Sequence, residues 1–196
     1  MNKQTVAFYN YFSFFYPLID KFLHYQKKLL FEELDVLPSG ILLEVGVGIG
    51  THFHHYEKHE VIGIDTSVAM LEIARKQLPG NIKLLEMDGE ALMFDDQVFD
   101  YIVLSHVIGV VDNTEQLLEE VFRVLKPQGK VFILNHFTPD NWLRHIDQSF
   151  KPIAKLLHFK SNFRMQDLRT IRKFTLQKEV NVGIASYFKL LIYQKG

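Results

Sequence analysis

Short aliphatic runs recur along the chain with little polar alternation, at Ile41–Val45, Val61–Ile64, Ile82–Glu86, Phe99–Leu104 and Lys130–Asn135. Runs of this length predict strands buried on both faces of a sheet. Between them, apolar positions return at helical spacing over Ser67–Gln77 and Thr114–Leu125, and Pro79-Gly80 and Pro127-Gln128-Gly129 break the chain just ahead of the next strand. Strand–helix alternation implies a parallel sheet with right-handed crossovers. Near the end, Phe174–Val180 and Ser186–Tyr193, joined by a turn near Gly183, predict an antiparallel hairpin. Helical stretches at about Thr5–Phe15 and Leu18–Leu37, separated by Pro17, precede the first strand. The expected architecture is a doubly wound, seven-stranded α/β sheet, mostly parallel with a C-terminal antiparallel hairpin. It forms one domain over residues 1–196, with a helical lid at 1–38 and a core at 39–196.

Composition narrows the function. A chain of 196 residues with 47% hydrophobic content fills one core, and a net charge of −1 argues against a polyanion binder. The absence of cysteine removes disulfides, thiolate catalysis and cysteine-based metal sites. No apolar run approaches the roughly 18–20 residues that span a bilayer, and the start has neither the basic opening nor the cleavage site of a signal peptide. The expected location is therefore cytoplasmic. Charge is uneven: residues 140–175 hold eight Lys/Arg against three Asp, +5, which leaves −6 for the remainder. Such a segment is either a solvated helical face or a surface that meets anions.

The first strand and its turn read LLEVGVGIG, residues 42–50, with Glu44 two places before Gly46, Gly48 and Gly50. Glycines there let backbone approach a ligand closely. In a doubly wound sheet, ligands bind beyond the C-terminal strand ends, where strand order reverses. A dinucleotide fingerprint would need the third glycine where Thr51 stands. A carboxylate suits a pyrophosphate poorly, but it suits a cofactor bearing positive charge, and the E-x-G-x-G-x-G pattern is what an S-adenosylmethionine site looks like. The second strand ends in Asp65, placed to accept from both ribose hydroxyls; alternatively Asp65, Thr66 or Ser67 caps the following helix. The third leads to Met87-Asp88-Gly89-Glu90, where Asp88 would accept from an adenine amino group or stand as an ordinary loop carboxylate. Three acids thus stand at three successive strand ends.

These residues resemble the class I S-adenosylmethionine-dependent methyltransferases, with their Rossmann-like sheet. The likeness runs through LLEVGVGIG, VIGIDTSVAMLEIARKQ, EMDGEALMFDDQVFDYIVLSHVIG and LLEEVFRVLKPQGKVFIL. Gln128 departs from the second residue of the usual Lys-Pro-Gly-Gly turn, with Gly129 expected to supply the flexible position. The resemblance implies S-adenosylmethionine as cofactor, held by Glu44, Gly46, Gly48, Gly50, Asp65, Thr66, Met70, Asp88, Gly89 and Ser105.

The methyl acceptor is written more weakly, because much of such catalysis is placement. Ser105-His106 from the fourth strand and Asn135-His136-Phe137 from the fifth flank one cleft. Histidines there would bind an anionic head group, take a proton, or merely satisfy backbone groups. An ammonium of lysine-like pKa is neutral in only about one molecule in a few thousand at pH 7, so an amine acceptor gains from a nearby base. His52, His54, His55 and His59 cluster without a recognised zinc spacing, and no metal site is expected. Phe8–Tyr16 packs seven aromatics into nine residues, which would either cover the cofactor or touch lipid, aided by Lys3, Lys21, Lys27 and Lys28 and the basic segment.

ILNHF, the Met87–Glu90 stretch and residues 151–163 are similar to soluble bacterial phospholipid N-methyltransferases. That likeness implies methylation of phosphatidylethanolamine at an anionic membrane surface, Asn135 and His136 on the acceptor side, and Tyr9 and Tyr16 in a cofactor lid. His106, the third catalytic candidate, stands where that group has a tyrosine. Rival readings are a soluble or quinone-like small-molecule acceptor and a donor-binding protein without catalysis. Nicotinamide chemistry is disfavoured by Glu44 and Thr51. Nucleic acid is not an expected partner, since no Asn/Asp-Pro-Pro-aromatic sequence follows the fourth strand, and no obligate protein partner is evident.

Overall fold

The computed structural model describes residues 16–76, 78–136, 167–182 and 188–196. Helix α1 (Tyr16–Asp35) precedes β1 (Ile41–Val45), a 3₁₀ turn (Phe53–His55) and β2 (Glu60–Asp65). Helix α2 (Val68–Arg75), β3 (Ile82–Glu86), β4 (Phe99–Ser105), α3 (Thr114–Val124) and β5 (Leu125–His136) follow. A second 3₁₀ turn (Thr170–Lys173) leads into β6 (Phe174–Val182) and β7 (Phe188–Lys195). The seven strands lie in the order β3-β2-β1-β4-β5-β7-β6. β1 to β5 pair in parallel, and β7 runs antiparallel to both β5 and β6.

Two apolar layers sandwich the sheet. On one face Leu43, Val45, Ile102 and Leu104 meet Leu117, Leu118, Val121 and Val124 of α3. On the other, Leu42, Val61 and Val103 meet Leu30, Phe31 and Leu34 of α1 and Leu71 and Ala74 of α2. Alternation along β1 decides which residue faces which layer. The helix starts are closed by side chains: Ser67 Oγ accepts from Met70 N at 3.3 Å, and Asn113 Oδ1 from Gln116 N at 3.2 Å. Each such cap is worth about 1 kcal/mol. Pro17 falls in the first turn of α1, where a missing N–H costs no helical bond.

The structure departs from the sequence reading at β5, which begins at Leu125 rather than Lys130 and runs through Pro127-Gln128-Gly129. The break survives only as a bulge. Phe99 pairs with Leu125 but Tyr101 with Lys130, so β5 absorbs the extra residues there. The left-handed position is Gln128, at φ +63°, and not Gly129. Gly129 is required for a different reason: a Cβ there would sit 2.8 Å from the Lys126 carbonyl oxygen and from Leu125 Cδ1.

The expected helix at 5–15, the turn near Gly183, Phe137 and the basic stretch up to residue 166 lie outside the described residues. Among the described residues no helix is long and apolar enough to cross a membrane.

Candidate active site

β1 and β4 are neighbours, with β2 and β3 to one side and β5 onward to the other, so the strand order reverses between them. At their C-terminal ends opens a cleft of about 600 Å³, counting space open to solvent. Gly46, Gly48, Asp65, Thr66, Met70, Asp88, Gly89, Ser105 and His106, all singled out from sequence, line it.

Geometry explains each contribution. Gly46 has φ +74°, and a Cβ there would meet Val107 Cγ2 at 2.5 Å, so the turn both needs the left-handed backbone and lacks room for a methyl. Asp65 ends β2 with Oδ2 accepting from Gly48 N and Oδ1 from Ser67 N, both at 2.8 Å. Burial pushes its carboxyl above the usual carboxylate range, against the lowering effect of those backbone N–H groups. One carboxylate thereby ties the glycine turn to the start of α2. Asp88 Oδ1 accepts from Glu90 N at 3.0 Å, while Glu90 Oε1 accepts from the backbone of Asp112 at 2.8 Å and Asn113 at 3.2 Å. That bracing holds the two adjoining loops together.

Ser105 and His106 form the floor where β4 ends. Ser105 is 8% exposed, and its hydroxyl has no hydrogen-bond partner among the described residues. His106 adopts φ +60°, with its N–H donating to the Leu134 carbonyl at 2.7 Å and its ring edge-on to Phe188 at 5.7 Å. A non-glycine residue held in this conformation inside a cleft is characteristic of a functional position.

Some expected site residues stand elsewhere. Glu44 does not line the cleft. Strand alternation turns it to the α1 face, where its Oε2 lies 2.8 Å from His52 Nε2. Beside it, burial raises the Tyr56 hydroxyl pKa well above its ordinary value, and the Glu44 charge raises it further. Gly50 is likewise off the lining, capped by Phe53. Asn135 is buried in β5 rather than in the cleft wall. His136 is described in backbone only, in register with Phe188. Tyr16 is known only as the start of α1, and Tyr9 lies outside the described residues.

The histidine run disperses: His52 goes to Glu44, His59 Nε2 lies 3.4 Å from the Leu34 carbonyl, and His54 stacks near His55. Among the described residues no three His, Asp or Glu side chains gather as a metal site. Lys27, expected as a membrane-facing charge, is instead buried with Nζ 3.2 Å from His52 Nδ1, whereas Lys28 is exposed.

Sequence reasoning missed the apolar wall of Val107, Val110 and Val111, although VIGVV was a visible signal of it. It also missed Phe188 beside His106, which no local pattern joins.

Among the described lining residues, two carboxylates stand with no lysine or arginine. Such a wall favours a cationic ligand with ribose and amine donors over a diphosphate. The buried, unpartnered Ser105 hydroxyl leaves one more polar group free to meet it. These residues fit S-adenosylmethionine.

Residues 43–133 match the family model described as a methyltransferase domain. Over that stretch the chain carries a methyltransferase domain, and the comparisons support S-adenosylmethionine-dependent methyl transfer. It is 29% identical over 164 residues to a phosphatidylethanolamine N-methyltransferase of Cereibacter sphaeroides, covering 80% of this chain and 81% of that one. To a demethylmenaquinone methyltransferase of Lactobacillus johnsonii it is 33% identical over 125 residues, 59% of this chain and about half (51%) of the relative. Among solved structures it is similar to a Haemonchus contortus phosphoethanolamine N-methyltransferase in complex with phosphomonomethylethanolamine and S-adenosylhomocysteine. That match has TM-score 0.72 and 18% identity over 87% of this chain and 52% of the other.

Proposed function

We propose that the chain N-methylates the amino head group of a phospholipid of the phosphatidylethanolamine type. The observation that carries this reading is the likeness to the C. sphaeroides enzyme, which spans 81% of its length. The quinone enzymes match over a shorter share of theirs.

When bound, S-adenosylmethionine supplies an electrophilic methyl group on a sulfonium. Asp65 is assigned to the ribose hydroxyls, Asp88 and Gly89 to the adenine edge, and Gly46 and Gly48 to close backbone contact. Thr66 and Met70 close that side, and Ser105 faces the reacting end. The chain must then bring an amine lone pair in line with the methyl group and hold it there, a placement worth up to roughly 7–11 kcal/mol. His106, at the cleft floor against Phe188, is the group assigned to take the proton the alkylated nitrogen loses. His136 is assigned to the acceptor's phosphate side. Asn135, buried behind the wall, is assigned to positioning the end of β5. Peripheral contact with an anionic membrane surface belongs to the same reading.

A second reading, a quinone-like acceptor, is favoured by the Val107, Val110 and Val111 wall, which would suit a flat apolar ring. Methyl-labelled donor with phosphatidylethanolamine vesicles, and separately with a demethylated naphthoquinol, decides between them. Label on the lipid amine supports the first reading; label only on ring carbon replaces it with the second.

A further inference from the structure

We infer that Lys27, His52 and Glu44 form a buried positioning relay that makes binding of the donor and docking of helix α1 a single coupled event. Lys27 is 8% exposed, His52 2% and Glu44 1%. Lys27 Nζ lies 3.2 Å from His52 Nδ1, and His52 Nε2 lies 2.8 Å from Glu44 Oε2. A lysine ammonium has only protons to offer, so Nδ1 accepts and the imidazole proton sits on Nε2, donating to the carboxylate. A positive end, a neutral ring and a negative end then stand in line within one buried box. Phe31, Phe53 and Tyr56 wall it, with ring centroids 5.8, 5.3 and 5.9 Å from that of His52.

Position gives the relay its role. Glu44 and His52 stand at the two ends of the glycine turn, residues 45–51, so their bond closes the turn as a loop. Inside that loop Gly46 and Gly48 line the donor cleft. Lys27 belongs to α1, so the same imidazole that closes the loop also holds the helix. The C-terminal end of α1 is anchored separately. Lys58 Nζ donates to the Asp35 carbonyl at 2.5 Å, and Lys178 Nζ lies 2.6 Å from Glu33 Oε1. The relay is therefore not the only attachment of the helix. It is the attachment that reports on the turn.

The two amide replacements of His52 separate its two bonds. Asparagine places its amide near the Nδ1 position and keeps an acceptor for Lys27. Glutamine reaches the Nε2 position and keeps a donor for Glu44. The test measures S-adenosylhomocysteine affinity by calorimetry, and hydrogen exchange of the amides of residues 26–34 with and without that ligand, on the full chain. In the wild type, saturation should slow exchange in α1. His52→Asn should weaken affinity by about tenfold or more, from loss of a charge-assisted hydrogen bond. His52→Gln should stay within about threefold of wild type yet lose the ligand-dependent slowing in α1. Lys27→Met should reproduce His52→Gln, which keeps the test decisive should His52→Asn fail to fold. Unchanged α1 exchange on ligand saturation of the wild type overturns the inference. Equal affinity losses in His52→Asn and His52→Gln, with α1 slowing intact in both, overturn it as well.

Discussion

Replacing Asp65 tests one carboxylate that makes two backbone bonds and is proposed to make a further contact, to the ribose of the donor. Its oxygens accept from Gly48 N and Ser67 N at 2.8 Å each, and the lone pairs left over face the cleft. If they take the ribose hydroxyls, Asp65→Ala removes charge-assisted bonds worth roughly 1.5–3 kcal/mol, which is about ten- to 150-fold in donor affinity. Asp65→Asn keeps one acceptor and turns a donor toward the other backbone N–H, so it should fall in the same range.

The pH dependence follows from the raised carboxyl pKa, whose first cause is burial. A carboxyl raised on folding stabilises the fold fully below its unfolded value, about 3.9, and loses that contribution as pH rises through the folded value. Ionised Asp65 therefore costs stability at neutral pH, and donor binding recovers that cost. In the ligand-free protein, Asn relieves the desolvation but loses a hydrogen bond, so its stability should lie within about 1 kcal/mol of wild type. Calorimetry with S-adenosylhomocysteine between pH 7 and 4.5 checks this. Wild-type affinity should fall on acidification sooner than an exposed aspartate would allow, and Asp65→Asn should flatten the profile. Wild-type affinity in Asp65→Ala would refute the assignment.

Other expectations test the framework around the cleft. Gly46→Ala should abolish measurable donor binding, because φ +74° and the Val107 contact both resist a methyl; titration shows it, with circular dichroism reporting the fold. Gly129→Ala should cost about 1–3 kcal/mol in urea unfolding, as its Cβ meets the Lys126 carbonyl. Gln128→Gly should change stability by less than about 1 kcal/mol, since relief of the left-handed backbone is offset by chain entropy and by loss of the Gln194 contact. Glu115 has its pKa lowered, first by Thr170 and then by the Arg169 backbone. Its contribution is present above the unfolded glutamate value and lost as pH falls through the lowered one, so Glu115→Gln should shallow the acid limb of the stability curve.

Much of this molecule was legible in its residues. Unbroken aliphatic runs can be buried only in a sheet covered on both faces, and this located β1 to β4 within a residue or two. Acid placement pointed to Asp65, the last residue of β2, and to Asp88, two residues past the end of β3; both line the cleft. Glu44 defeated the same logic because it lies one residue inside β1, where alternation and not proximity chooses the side. His52 looked like a member of a histidine run, and its partners lie 8 and 25 positions away in sequence. No local pattern links Phe188 to His106 either. Glycine's conformational freedom points to Gly129 as the flexible residue. The bulge instead bends at Gln128 and uses the glycine for clearance.

The central claim is that an acidic, glycine-turned cleft between β1, β2 and β4 receives a sulfonium nucleoside. A crystal structure of the chain with S-adenosylhomocysteine tests it most directly. The account predicts ribose hydroxyls within hydrogen-bond distance of Asp65, adenine beside Asp88 and Gly89, and sulfur toward Ser105 and His106. A nucleoside bound elsewhere, or bound here with its ribose turned from Asp65, would contradict it.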